Sequence, residues 1–325
     1  MIKVRHDSLA TEPGHIVFYW GGHVPAIAEL AIRSALSRSE TSTVHLFLDS
    51  GAGVQGSLPE SMKWLHDCSR FQVHHFFLKT WLEEYEEERV PNPLWARVRP
   101  AVERWASRFL RPPALRRLVD SKLAKRLVGH WHPDFGWFPS GTVNAALLRQ
   151  GATYSADVFR ILLANKFPRE TILYSDLDVY FVAPLKRWGL DKAFLYRWGM
   201  GAQWANNAII YYPQERAQLS SFLTKELLRG TPARPWFMFS EENCREAGIE
   251  IWDTELFEPA WTQGSVSRGD TSMFMENTAR TSQLVDEIDS RFLAVHWHNQ
   301  WAKNPPEGSP FAIFLSRERD AAEYC

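Results

Sequence analysis

Three short apolar runs, the first two separated by one stretch of helical spacing, constrain this chain most. Residues 15–20 (His-Ile-Val-Phe-Tyr-Trp) and 44–49 (Val-His-Leu-Phe-Leu-Asp) read as buried strands, and residues 71–78 as a third. Between the first two, residues 25–38 put Ile27, Leu30, Ala31, Ala35 and Leu36 on or near one helical face. A shorter helix is expected at 62–68. Strands this apolar are stable only when covered on both faces, and the strand–helix–strand order joins parallel neighbours. The expected class is therefore α/β. Ligands of such sheets sit at the carboxyl ends of the strands, where Gly21-Gly22 and Asp49 stand.

A fourth apolar run, residues 172–182, carries Asp176 and Asp178 two positions apart. Extended backbone would send both side chains to one face. Two hard oxygen ligands at a buried strand end do not both stay ionised and dry without a cation. Mg²⁺ or Mn²⁺ suits them, and such an ion commonly holds phosphate oxygens as well. A solvated turn is the plainer reading of the same two residues, since Asp favours loop starts and caps.

Composition narrows the function classes. The 325 residues carry a formal net charge of −1, so no global basic field argues for nucleic acid. Fifteen Trp give weak support to a carbohydrate ligand, because aromatic faces suit sugar C–H surfaces as well as core packing. Cys68, Cys244 and Cys325 are far apart, which argues against a disulfide framework and fits a reducing compartment. Residues 1–14 show no signal peptide, and the apolar runs fall short of the ~20 residues of a membrane helix. The expectation is a cytoplasmic protein, at most peripheral to a membrane, with residues 1–325 forming one domain.

Residues 80–139 break the alternation and read as a helical insertion. Between Arg89 and Arg126 stand eleven Lys or Arg and two acidic residues. Val98, Val102, Trp105 and Phe109 recur at helical spacing, as do Leu115, Val119, Leu123 and Leu127. A basic amphipathic pair of this kind suits an anionic membrane surface, and equally an ordinary surface helix packed on the core.

Further groups with chemical potential follow. Asp157 and Arg160, three apart on a helix, share a face and suit either vicinal sugar hydroxyls or a structural ion pair. Asn206-Asn207 opens a strand and offers both donors and acceptors. His296 and His298 follow the last buried strand, where an imidazole could complete a site begun by carboxylates.

In order along the chain, Ser155-Ala156-Asp157-Val158-Phe159-Arg160, Leu173-Tyr174-Ser175-Asp176-Leu177-Asp178-Val179, Asn206-Asn207-Ala208-Ile209-Ile210 and Ala294-Val295-His296-Trp297-His298-Asn299-Gln300-Trp301 form four blocks. Together they resemble retaining GT-A glycosyltransferases of family 32, the sugar-binding-region type of polysaccharide synthesis. Trp20-Gly21-Gly22 resembles the first nucleotide-binding loop of those enzymes. Where many members carry Tyr-Gly-Gly before the Asp-x-Asp strand, this chain has residues 166–171, which look more like family 8.

The resemblance implies a GT-A, Rossmann-like nucleotide-diphospho-sugar transferase fold with the helical insertion. It implies a nucleotide-sugar donor, a UDP-sugar for preference, and a glycan or lipid-linked acceptor. Asp176, Asp178 and His296, with His298 as second choice, would hold Mn²⁺ or Mg²⁺. Asp157 and Arg160 would hold the donor sugar, Trp20, Gly21, Gly22, Asn206 and Asn207 would line the donor site, and Asn299 or Trp301 would touch the diphosphate. Two rival classes remain. A non-catalytic carbohydrate-binding relative would keep the fold without turnover. A haloacid-dehalogenase-type phosphatase also carries Asp-x-Asp, but Tyr180 stands where its Thr or Ser would be.

Overall fold

Strand β1 (His15–Gly21) is the pivot of the chain. Alternate residues point to opposite faces: Ile16 and Phe18 enter one core, Val17 and Tyr19 the other. From β1 the chain runs through α1 (Glu29–Arg38) to β2 (Thr43–Asp49), then to β3 (Phe71–Phe76) and α2 (Leu78–Arg89). This computed structural model describes residues 12–50, 56–89, 130–132, 136–138, 152–228, 238–298, 300–301 and 304–321.

β1 and β2 pair in parallel along their whole length, from His15 opposite Thr43 to Gly21 opposite Asp49, and β3 continues the parallel set. Helix α1 buries Leu30, Ala31, Ile32, Ala35 and Leu36, as its spacing predicts. Its one buried cation, Arg33, is neutralised by Glu29 at 2.7 Å one turn earlier and lies over the Trp64 ring.

Farther along come β4 (His130–His132) and β5 (Gly136–Phe138), an antiparallel pair inside the 80–139 segment. The basic stretch from Val90 to Gly129, and with it nearly all of the expected amphipathic pair, lies outside the described residues. Helix α3 (Ala152–Lys166) then buries Val158, Phe159, Leu162 and Leu163 and leads into β6 (Ile172–Ser175). Strands β7 (Val179–Phe181), β8 (Phe194–Arg197) and β9 (Ala205–Tyr212) follow, then α4 (Ala217–Leu228) and α5 (Glu241–Glu246). The chain closes with β10 (Glu250–Trp252), α6 (Thr281–Arg291), β11 (Ala294–His296) and α7 (Pro310–Asp320). Ser309 caps α7, its hydroxyl accepting from the Ala312 amide at 3.2 Å, with Pro310 in the first turn.

The central sheet has seven strands in the order β10-β8-β9-β6-β1-β2-β3. Only β9 runs against the others, pairing antiparallel with both β6 and β8. The α/β class with a largely parallel sheet is therefore as the sequence led us to expect. From β1 the chain builds outward through β2 and β3, then returns to place β6 on the other side of β1. This reversal leaves a crevice at the carboxyl ends of β1 and β6.

Two expectations are corrected. Residues 172–182 are not one extended strand, because Asp176, Leu177 and Asp178 lie between β6 and β7 with a turn at the last two. The reason is a change of partner: β6 belongs to the central sheet, whereas β7 pairs antiparallel with β11 in a separate two-stranded sheet. Cys68 is disulfide-bonded, contrary to the reading of the cysteine spacing, while Cys244 is a free buried thiol.

Candidate active site

Asp176 and Asp178 sit at the switch point, the first just before the turn and the second within it. The Asp176 amide donates to the Ala208 carbonyl of β9 at 2.7 Å, and the Asp178 carbonyl accepts from the Trp297 amide beyond β11 at 2.9 Å. Backbone bonds to two different sheets thus fix both positions. His296, the last residue of β11, faces Val179 across the ladder and comes beside them. One ligand atom from each of Asp176, Asp178 and His296 falls within 4.8 Å of the others.

The donor atoms differ in their commitments. Asp176 Oδ1 accepts from Arg160 Nη2 at 2.6 Å and from the Tyr174 hydroxyl at 2.7 Å. Two donors on one oxygen leave the second oxygen of Asp176 for another partner. Burial raises the Asp176 pKa, opposed by Arg160 and helped by the neighbouring charge of Asp178. His296 Nε2 lies 3.3 Å from Asp178 Oδ2, within ion-pair range, yet makes no hydrogen bond. Burial alone would lower the His296 pKa, but Asp178 and Glu258 hold it well above the ordinary imidazole range.

A buried ring nitrogen without a hydrogen-bond partner, beside two carboxylates, is a donor set that a cation would complete. Carboxylate oxygens suit Mg²⁺ and Mn²⁺, and the added imidazole favours Mn²⁺ of the two. The residues therefore fit the divalent ion expected from the sequence.

Arg160 is the hub on the opposite flank. Its Nη1 donates to Asp157 Oδ1 at 2.9 Å while Nη2 holds Asp176. Asp157 Oδ1 also accepts from Asn207 Nδ2 at 2.7 Å. The Asp157 carboxyl is pushed up to about 6 by burial, against the pull of Arg160. Both residues are buried, and the face they share as neighbours on α3 is directed at the Asp176 carboxylate. Asn206, beside Asn207 at the start of β9, uses Oδ1 to accept from the Ala208 amide, and its buried Nδ2 makes no hydrogen bond.

The β1 end supplies the other wall. Gly22 has φ of +86°, a conformation that an L side chain adopts only with strain, and its amide approaches the Asp49 carbonyl at 3.4 Å. A Cβ on Gly21 would meet no atom within 4 Å, so ligand backbone or phosphate could lie close there. Trp20 and Trp301 meet edge to face with centroids 4.7 Å apart, joining the first loop to the C-terminal segment. Asn299 lies outside the described residues.

His298 lies against His296, ring centroids 4.0 Å apart, and with Glu258 the two histidines form a second group whose ligand atoms fall within 4.8 Å of one another. His298 Nε2 bonds Glu258 Oε2 at 2.6 Å, and its backbone φ of +56° turns the chain back after β11. The sequence reading passed over Glu258 and Tyr196. Glu258 is fully buried and accepts from the Tyr196 hydroxyl at 2.9 Å, with His296 Nδ1 at 3.2 Å. Its pKa is lowered, the two histidines outweighing the burial that would raise it. A lone acid within the apolar stretch 256–261 is the one signal that could have singled it out.

No protein-family model matches the chain, and no curated protein matches it. Among solved structures the chain is similar to the glycosyltransferase GlyE in Streptococcus pneumoniae TIGR4, at 11% identity and TM-score 0.42, covering 96% of this chain and 64% of that one. It therefore spans a little under two thirds of the length of GlyE. It is also similar to a PaToxG glycosyltransferase, at 12% identity and TM-score 0.34, over 72% of this chain and 70% of that one. A third is a glycosyltransferase involved in glycosylation of the major capsid of PBCV-1, at 10% identity and TM-score 0.30, over 95% and 100% of the two chains.

Proposed function

We propose that this protein is a retaining, metal-dependent glycosyltransferase of the GT-A type. It would move a sugar from a nucleotide sugar, a UDP-sugar for preference, to a glycan or glycolipid in polysaccharide biosynthesis. The observation that carries the reading is the convergence of Asp176, Asp178 and Nε2 of His296 at the switch point of the sheet. These three residues would hold Mn²⁺ or Mg²⁺. The ion would neutralise the charge that grows on the departing nucleoside diphosphate.

The protein's own residues have separable roles in this reading. Arg160 and Tyr174 hold Asp176 by one oxygen and so orient the other. Asn207 and Arg160 hold Asp157, and this cluster would meet the donor sugar hydroxyls from the β9 side. Gly21 and Gly22 would let the nucleotide diphosphate approach the end of β1, with Trp20 and Trp301 as the wall. No general base is assigned, since retaining transferases of this kind are thought to use the leaving diphosphate to help deprotonate the acceptor.

Among the described residues no helix is long and apolar enough to cross a membrane. The disulfide at Cys68 removes the support that cysteine spacing gave to a cytoplasmic setting. Any contact with anionic lipid through residues 89–126 would come from the segment outside the described residues.

The test is nucleotide-sugar hydrolysis across a donor panel, with Mn²⁺ or with EDTA, comparing the wild type with Asp178→Ala. Metal-dependent release of a nucleoside diphosphate from one donor, lost in the variant, is the expected result. No turnover, together with no metal-dependent nucleotide binding, would replace the enzyme by a carbohydrate-binding relative.

A further inference from the structure

We infer that Glu258 is a positioning residue which assigns the proton of His296 to Nδ1 and so reserves Nε2 for the metal. This rests on the reading of Asp176, Asp178 and His296 given above, and adds to it a residue outside that triad.

The geometry is a matter of counting donors and acceptors. An ionised carboxylate only accepts. Glu258 Oε1 lies 2.9 Å from the Tyr196 hydroxyl and 3.2 Å from His296 Nδ1, and Oε2 lies 2.6 Å from His298 Nε2. Tyr196 has one proton, which goes to Glu258, so its oxygen faces His296 Nδ1 at 2.8 Å as an acceptor. His296 Nδ1 is thus flanked by two acceptors and must carry a hydrogen. With Nδ1–H held there, Nε2, which lies 3.3 Å from Asp178 Oδ2, is the ring nitrogen that a metal would take in place of a proton. This is a carboxylate–histidine–metal relay, in which the outer carboxylate sets both tautomer and ring orientation.

Glu258 is built to stay in place. It is 0% exposed, and its carbonyl accepts from the Thr262 hydroxyl at 2.6 Å and the Trp261 amide at 3.1 Å. The carbonyl of the preceding residue, Phe257, accepts from the His296 amide at 3.2 Å. Acid and histidine are therefore locked together by backbone as well as side chain. His298 occupies the second oxygen of Glu258, which keeps that oxygen from competing for the ion.

Two measurements on the full chain test this. In Mg²⁺-loaded wild type, long-range ¹H–¹⁵N NMR of histidines should show His296 protonated at Nδ1; a proton at Nε2 would overturn the inference without any variant. Glutamine at 258 can donate as well as accept, so it no longer dictates where the ring proton sits. Glu258→Gln should weaken Mn²⁺ binding by calorimetry about 10- to 100-fold, as outer-shell changes commonly do, and shift the His296 ¹⁵N signals, with the circular dichroism of the wild type retained. His298→Ala should affect Mn²⁺ much less.

Unchanged Mn²⁺ affinity in Glu258→Gln, alongside its loss in Asp178→Ala, would overturn the role of Glu258 and leave the transferase reading standing. Loss of Mn²⁺ in His298→Ala but not in Asp178→Ala would make Glu258, His296 and His298 the ligands, and also overturn the inference. Wild-type Mn²⁺ affinity in all three variants would remove the metal reading itself.

Discussion

Arg160 Nη2 donates to Asp176 Oδ1 at 2.6 Å, although the two residues belong to different elements and one of the pair is already bonded to Asp157. A single buried guanidinium therefore sets the distance between helix α3 and the turn that carries the carboxylates. The planar guanidinium fork, with one terminal nitrogen for each carboxylate, is what allows one side chain to serve both acids.

Replacing Arg160 by Met should leave Asp157 and Asp176 buried without their cation. Breaking a buried pair by removing one partner commonly costs about 3–5 kcal/mol. The expected result is a loss of that size in urea unfolding, with Arg160→Lys falling between wild type and Met. An unfolding midpoint for Arg160→Met equal to that of the wild type would show that the pair contributes nothing.

Metal binding should stabilise the fold by mass action. Mn²⁺ at a hundred times its Kd would add about 2.7 kcal/mol, because it binds the folded chain alone. Thermal unfolding with and without Mn²⁺ should show this gain in the wild type and not in Asp178→Ala. An equal gain in both would place the ion elsewhere.

Trp297 is 1% exposed and meets Phe274 and Phe311 at centroid distances of 5.8 and 5.6 Å. Its amide is also the donor that holds the Asp178 carbonyl. Trp297→Ala should cost about 3–5 kcal/mol through the cavity it leaves. Mn²⁺ affinity in the folded fraction should fall as well, since the Asp178 backbone loses its packed support. Calorimetric unfolding and Mn²⁺ titration of the same sample would separate the two effects.

A histidine ladder on the far half of the sheet gives a pH dependence. His45 bridges His15 and His74, with nitrogens 2.9 Å apart at each link. Burial, then the charges of His15 and His74, push the His45 imidazole down from 6.5 to about 4. With the folded value lowered, the unfolded chain takes up the extra proton first. Stability present above about 6.5 is therefore lost as pH falls toward 4. Melting temperatures across that window should decline in the wild type, and the decline should be shallower in His45→Gln. Parallel curves would assign the acid sensitivity to other groups.

Much of the frame was legible because periodicity and burial are local properties. The continuous apolar runs of residues 15–20 and 44–49 marked β1 and β2, and the spacing of Leu30, Ala31 and Ala35 marked α1. Strands β8 and β10 and helices α6 and α7 escaped notice, their short or mixed patterns being decided by the sheet and core they complete. The extended reading of 172–182 failed because a strand's partner is chosen in three dimensions. Nothing in the run itself says that Ile172 will pair with β1 and Val179 with β11.

The sequence by itself determined the residue types with chemical potential: two carboxylates around Leu177, an Asp and Arg one helical turn apart, and a histidine pair behind a buried strand. It also determined that their backbone would be α/β, since apolar runs and helical spacing admit few other arrangements. Only the tertiary structure decided which of these groups meet. It set His296 and His298 against each other, both on Glu258, and turned only Nε2 of the first toward Asp178. It brought in Glu258 and Tyr196, far from every motif, because hydrogen-bond complementarity among buried polar groups is a property of the folded core. Local pattern selects the elements, and the need to satisfy each buried donor and acceptor selects how they come together.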